Sequence, residues 1–141
     1  PYWDDSARAI LCGISRRTGK AEIVKAAEES IAYQICDIAA GLQRALGKKL
    51  SRLCADGGAV RDEYLMQLQS DLLNIPVLVP ENQELSGAGA ALMAGMAVGL
   101  YTGGEFDGAS ERLFYPAMDP ALRERKCSGW KDAVHMAMQH R

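Results

Sequence analysis

The chain lacks both a charge excess and a long hydrophobic run. Sixteen Lys and Arg stand against eighteen Asp and Glu, and the net charge of −2 argues against a nucleic-acid or anionic-membrane partner. The longest stretch free of both charged and strongly polar residues, 87–100, is too short to span a bilayer, and no signal peptide is recognisable. These absences predict a cytoplasmic protein that binds neither nucleic acid nor membrane.

Histidine is scarce, and cysteine occurs without metal-binding spacing. The two histidines, His135 and His140, lie near the carboxyl end, where a nucleophile–histidine–acid triad is not predicted. No CxxC pair occurs, so neither a zinc site nor a thioredoxin-type motif is supported. We expect buried thiols in a reducing compartment. The cysteines are Cys12, Cys36, Cys54 and Cys127.

The chain has enough apolar residues to form the core of one folded domain over residues 1–141. Apolar residues make up 48%, and with the 14 glycines the share reaches about 58%, above the usual 45–50%. A domain that docks on another leaves part of its apolar surface uncovered when alone. Because the chain begins with Pro1 rather than Met, we expect it to be a piece of a longer protein.

The first half predicts a strand followed by a long helix. Residues 8–15 form a short apolar run typical of a strand. Thr18 is a candidate N-cap, and Gly47 is a candidate C-cap. Between them, apolar residues recur every three or four positions, which predicts an amphipathic helix with that stripe facing the core. The stripe comprises Ile23, Ala27, Ile31, Ile35, Ile38, Leu42 and Leu46.

The second half continues the alternation of strands and helices. We predict a strand over 50–56, a helix over 62–73 capped by Asp62, and a strand over 75–79. A glycine- and alanine-rich helix over 87–101 with Ser86 as N-cap, a loop over 102–110, and a helix opened by Asp119 and Pro120 follow. This order predicts an α/β layered domain.

The sharpest local feature is the pair Gly57-Gly58, placed between a predicted strand and a predicted helix. Two glycines permit positive φ angles and let the backbone approach a ligand closely. In open α/β sheets, ligands bind at the carboxyl ends of strands, so an adenine or a ribose is a candidate occupant. A tight strand-to-helix turn without a ligand is the alternative.

Several sequence blocks together resemble the carboxy-terminal domain of the FGGY carbohydrate kinases, and within that family the glycerol kinases most closely. They occur in the family's order along nearly the whole chain. The blocks are PYWD at 1–4, GISRRT at 13–18 before the long helix, DGGAV at 56–60 with LMQLQSDLL at 65–73, SGAGAALMAG at 86–95, and RER at 123–125 with GWKDAV at 129–134.

The resemblance implies an actin-like, ribonuclease-H-like ATPase fold, in which two α/β domains hold ATP between them. The whole enzyme would transfer the γ-phosphoryl group of MgATP to glycerol. The catalytic aspartate, the main phosphate-binding loops and the magnesium site would lie in an amino-terminal domain outside this chain, which would supply no catalytic residue. We therefore expect the isolated chain to be inactive, and its oligomeric state is left open.

By resemblance, three residues of this chain belong to the nucleotide site. Gly58 would contact the nucleotide through its backbone, and Gly57 would shape the turn. Asp62 stands where the family has an asparagine at the adenine side; an ionised aspartate only accepts hydrogen bonds and could accept from the exocyclic amine. Glu28 is a second departure, since it occupies a position of the long helix that is usually apolar.

Three other hypotheses remain at this point. The chain could belong to another FGGY kinase, with a pentulose or another polyol as substrate. It could also be a free-standing, non-catalytic nucleotide-binding module. A purely structural protein is the last alternative.

Overall fold

A computed structural model of the chain describes residues 4–5, 7–81, 84–103 and 110–139. Among these residues, four α-helices alternate with three short strands. In chain order the elements are α1 (Lys20–Leu46), β1 (Leu53–Cys54), a 3-10 turn (Gly58–Arg61), α2 (Glu63–Leu73), β2 (Val77–Pro80), α3 (Leu85–Ala97), β3 (Glu111–Phe114) and α4 (Pro120–Gln139).

Helix α2 is the centre of the packing. It connects β1 to β2, which run parallel, and β3 pairs antiparallel with the other edge of β2. The predicted apolar face of α2 is confirmed, because Leu65, Leu68 and Leu72 are buried. They pack with Val60, Met66 and the strand residues Val77 and Val79 in one core cluster. The core thus lies directly beneath the turn that joins β1 to α2.

Two buried polar residues of α2 fix the sheet and the start of α4. The Ser70 hydroxyl lies 2.9 Å from the carbonyl oxygen of Ile75 and 2.8 Å from that of Phe114. The Asp71 carboxylate accepts backbone hydrogen bonds from Ala117 at 2.7 Å and Met118 at 3.1 Å. These contacts satisfy the buried oxygens and hold β3 and the segment before α4 against α2.

The predicted apolar stripe of α1 is wrong as a core face. Glu29, Ala32 and Ala39 are the buried residues of α1, whereas Ile31 and Ile38 are 46% and 56% exposed. The small side chains let α1 approach α2 closely, and the Gln69 side-chain amide donates to the carbonyl oxygen of Ala32 at 3.3 Å. The long aliphatic stripe therefore lies on the surface of this chain.

The predicted helix caps are partly confirmed. Gly47 ends α1 with φ 63°, and the side chain of Asp62 accepts from the backbone of Leu65 at the start of α2. Asp119 caps α4 through the backbone of Leu122. The predicted N-caps of α1 and α3 are wrong. α1 begins after Gly19, whose N–H donates to Glu22, and α3 begins after Glu84 rather than Ser86.

The strand predictions are less accurate. Residues 8–15 form no strand, although the run is apolar, because a strand requires a partner for its backbone groups. The strand predicted over 50–56 shrinks to Leu53–Cys54, while that over 75–79 is confirmed as β2 with a shift toward Pro80. Strand β3 was not predicted. It falls beside the predicted loop 102–110, of which residues 104–109 lie outside the described part.

Helix α3 is almost entirely surface-exposed, and Gly95 is its one buried residue. The ring of Tyr101 folds back against Gly95, where an added β carbon would lie 2.1 Å from a ring carbon. Close packing therefore explains one glycine of this helix, whereas Gly87 and Gly89 face open space. Of the described helices, none is both long enough and apolar enough to cross a membrane.

All four cysteines are free thiols, but they are not all buried as predicted. Cys12 and Cys54 are exposed, because the strands that were to bury them are missing or short. Cys36 and Cys127 are half-buried and pack against the core. Burial raises the pKa of Cys36 to about 12, with a further contribution from Cys127, so this thiol stays protonated at neutral pH.

Candidate functional site

The glycine pair forms a turn at the carboxyl end of β1. Gly57 has φ 86° and ψ −172°, a backbone conformation that L side chains rarely adopt. Gly58 begins the 3-10 turn that leads to Asp62. A β carbon added at either glycine would meet nothing within 4 Å. The turn therefore presents bare backbone to open space, which a β carbon would partly fill.

Asp62 lies between this turn and α2 and has a structural role there. Its carboxylate accepts from the backbone N–H of Leu65 at 3.0 Å, and its own N–H donates to the carbonyl oxygen of Ala59. The N-cap bond ties the end of the turn to the first turn of α2. An asparagine oxygen would make the same bond, so the cap is compatible with either residue.

Glu28 on α1 reaches the same carboxylate. A hydrogen bond between the two side chains raises the pKa of Glu28. Burial and the negative charges of Asp62 and Glu29 raise this pKa further, whereas the positive charge of Lys25 lowers it. The same bond lowers the pKa of Asp62, followed by the bond from Leu65. A protonated Glu28 can therefore donate to the ionised carboxylate of Asp62. The pair thus links α1 to the residue that caps α2.

An open groove of about 680 Å³ lies beside this pair. It runs between the first turns of α1 and Tyr64, and Lys20, Lys25 and Glu28 provide its charged groups. The Lys25 ammonium also lies 5.2 Å from the centre of the Tyr64 ring. The groove is thus lined by one aromatic ring, two lysines and one carboxyl group.

The residues that hold the turn in place were not predicted from the sequence. On one side, Arg112 of β3 donates to the carboxylate of Glu63 at 2.9 Å and to the carbonyl oxygen of Val60 at 3.4 Å. On the other side, the Tyr64 hydroxyl donates to Glu29 of α1 at 2.5 Å. Glu29 lies on the same helical face as Ala32 and Ala39, and that small-residue spacing was the available signal.

The family model for the C-terminal domain of the FGGY family of carbohydrate kinases matches residues 1–98. The chain is 44% identical over 140 residues to a glycerol kinase of Acinetobacter baylyi, and the match covers 97% of the chain. The chain spans only 28% of the length of that enzyme.

Solved structures give the fold. A Plasmodium falciparum glycerol kinase with ADP matches 97% of the chain and 28% of its own length, with a TM-score of 0.83 and 32% identity. A ligand-bound xylulose kinase from Lactobacillus acidophilus matches 99% of the chain and 28% of its own length, with a TM-score of 0.69 and 24% identity. The predicted α/β, actin-like ATPase fold is confirmed by these matches. The chain belongs to the FGGY family of carbohydrate kinases and corresponds to its carboxy-terminal domain.

Proposed function

We propose that the chain is the adenosine-binding domain of an ATP-dependent glycerol kinase. The observation that carries the proposal is the bare backbone of Gly57 and Gly58 at the carboxyl end of β1. A similar solved structure is that of a glycerol kinase with ADP, which supports nucleotide binding by this fold. A family member of this kind would transfer the γ-phosphoryl group of ATP to glycerol.

The chain's own contribution would be to bind and orient the nucleotide. The backbone of Gly58 would lie against the adenosine, with Gly57 setting the direction of the turn. The charged carboxylate of Asp62 would accept a hydrogen bond from the exocyclic amine of adenine. Magnesium would neutralise charge on the phosphates, and the residues that hold it and the glycerol would belong to an amino-terminal domain of the same enzyme.

That second domain would also cover apolar surface that this chain leaves exposed. The aliphatic stripe of α1 and most of α3 lie open, and Met93 of α3 and Leu100 just beyond it are exposed by 68% and 77%. A monomeric protein rarely exposes so many large apolar side chains on two helices. The chain matches only 28% of the length of its Acinetobacter baylyi relative, so the rest of an enzyme of that length is long enough to form a second domain.

The nucleotide site is tested by adding a methyl group where the nucleotide would lie. We expect Gly58→Ala to weaken ADP binding about tenfold, because forcing a methyl group into a filled contact costs about 1–3 kcal/mol. The thermal stability of the ligand-free protein should not fall, since the added carbon meets no protein atom. The measurement is calorimetric titration of the polypeptide in which the chain naturally occurs.

Gly129→Ala is the matched control, because Gly129 also faces open space but lies on the exposed side of α4. It should leave the ADP affinity unchanged. Equal affinities of Gly58→Ala and the unsubstituted protein would contradict the proposed site.

The substrate is tested by comparing ATP-dependent phosphorylation of glycerol with that of xylulose, and a preference for xylulose would replace glycerol in the proposal. Glycerol-dependent ADP release by the isolated 141-residue chain would contradict the assignment of catalysis to another domain.

A further inference from the structure

Glu29 is a buried carboxylate that the proposed nucleotide contacts do not use. The residue is 9% exposed and sits where α1, α2 and α4 meet. Lys126 of α4 donates to its two carboxylate oxygens at 3.0 and 3.3 Å, and Tyr64 of α2 donates to it at 2.5 Å. The Tyr33 hydroxyl lies 3.4 Å away. One carboxylate therefore joins three helices.

This cluster keeps Glu29 ionised. Burial alone would raise its pKa, but the hydrogen bonds from Tyr64 and Lys126 and the charges of Lys126 and Lys25 outweigh it, and the pKa is lowered. A charged carboxylate accepts stronger hydrogen bonds than a neutral one. The links from Lys126 and Tyr64 to Glu29 are therefore charge-assisted at neutral pH.

The position of Tyr64 gives the cluster a route to the nucleotide turn. Tyr64 is the second residue of α2 and lies two positions after Asp62, which ends the turn. Tyr64 is 41% exposed, so its packing is loose and the hydroxyl bond to Glu29 helps to hold it in place. Arg112 restrains the turn from the opposite side. Loss of the Glu29 contact would remove one restraint on the α1 side of the turn, where the pair of Glu28 with Asp62 would remain.

We infer that Lys126, Glu29 and Tyr64 are positioning residues for nucleotide binding, through which α4 fixes the orientation of the turn from Gly57 to Asp62. The inference rests on the proposed nucleotide site. None of the three side chains needs to touch the nucleotide. Lys126 orients the carboxylate of Glu29, Glu29 holds Tyr64, and Tyr64 holds the first turn of α2.

The test compares ADP dissociation constants of the natural polypeptide and its variants at neutral pH. We expect Lys126→Met and Tyr64→Phe each to raise the dissociation constant about fivefold, a usual size for coupling between contacting residues. Lys126→Arg keeps the charge, and a guanidinium can donate to both carboxylate oxygens, so the dissociation constant should remain within about twofold of that of the unsubstituted protein.

Trp130→Phe is the matched structural control. It removes a different hydrogen bond between α4 and α1, from the indole N–H to Asp37 at 2.7 Å, but it keeps an aromatic ring against Tyr33. A merely structural role of α4 would make Trp130→Phe and Lys126→Met weaken ADP binding alike. The inference expects Trp130→Phe to lose thermal stability without a change in ADP affinity.

The outcomes separate this inference from the proposed function. Normal ADP binding by the unsubstituted protein together with unchanged affinity in Tyr64→Phe and Lys126→Met would overturn the inference alone. No ADP binding by the unsubstituted protein would overturn the proposed function and the inference with it. Tyr64→Phe removes a single hydroxyl from a half-exposed side chain, so it remains informative if Lys126→Met fails to fold.

Discussion

At the scale of single residues, the sequence located the turn but not what holds it. The glycine pair predicted a backbone conformation that needs glycine, and Gly57 has it with φ 86°. Asp62 was predicted as a helix cap and is one. The pairing of Asp62 with Glu28 could not be predicted, because the two residues are far apart along the chain and only the packing of α1 on α2 brings them together.

The Glu28–Asp62 pair makes stability depend on pH in a defined direction. The pKa of Glu28 is higher in the folded chain than in the unfolded chain, where it is 4.5. Glu28 therefore contributes its full stabilisation below pH 4.5 and loses it as the pH rises through the pKa of the folded chain. The lowered pKa of Asp62 gives a contribution that is present above 3.8 and is lost at lower pH. The pair is therefore strongest in a window that contains pH 3.8–4.5.

Glu28→Gln tests this directly, because an amide can donate to Asp62 at every pH. We expect the variant to be more stable than the unsubstituted chain at pH 7 and to lose the decline that Glu28 causes as the pH rises from 4.5. The measurement is urea unfolding across pH 4–8. Glu124→Gln, on the exposed surface of α4, is the control for removing one carboxylate. A variant less stable than the unsubstituted chain at pH 7 would contradict the pairing.

At the scale of elements, helices were predicted better than strands. The periodicity of α1 gave its length to within two residues, because helix formation depends on local spacing and end caps. Its buried face was wrong, since the choice between an aliphatic stripe and a small-residue face depends on which element packs against it. Segment 8–15 was predicted as a strand but has no pairing partner, and strand β3 was not predicted. Both errors arise because a strand forms only where residues distant in sequence pair with it.

Two neighbouring residues of α1 lie on different faces of the helix, one on the aliphatic stripe and one on the small-residue face. Ile38 is 56% exposed and Ala39 is 4% exposed. We expect Ala39→Gln to lower the free energy of unfolding by about 1–3 kcal/mol, because the larger polar side chain must enter a packed interface. Ile38→Gln should change it by no more than about 0.5 kcal/mol, as for other surface substitutions.

The check is urea unfolding of the 141-residue chain with each substitution. Because both variants carry glutamine, only the propensity difference between the original Ala and Ile remains, a few tenths of a kcal/mol, which is smaller than the loss expected for Ala39→Gln. A larger loss for Ile38→Gln than for Ala39→Gln would mean that the aliphatic stripe is the packed face after all.

At the scale of the whole molecule, the chain has a core but leaves two apolar surfaces open. The core lies around α2 and the sheet, whereas the stripe of α1 and most of α3 are exposed. The high apolar share of the composition predicted such surfaces. The family was also recognisable from the order of its sequence blocks. The chemistry beyond adenosine could not be read from these residues, because the chain spans 28% of its relatives' length.

The central claim is that the turn from Gly57 to Asp62 binds adenosine, and hydrogen exchange tests it most directly. The backbone amides of the natural polypeptide would be followed by mass spectrometry with and without saturating ADP. We predict slower exchange for the peptide that contains Gly57 and Gly58, with no change for the exposed residues of α4 near Gly129. ADP binding that leaves the exchange of this peptide unchanged would contradict the claim and place the nucleotide elsewhere.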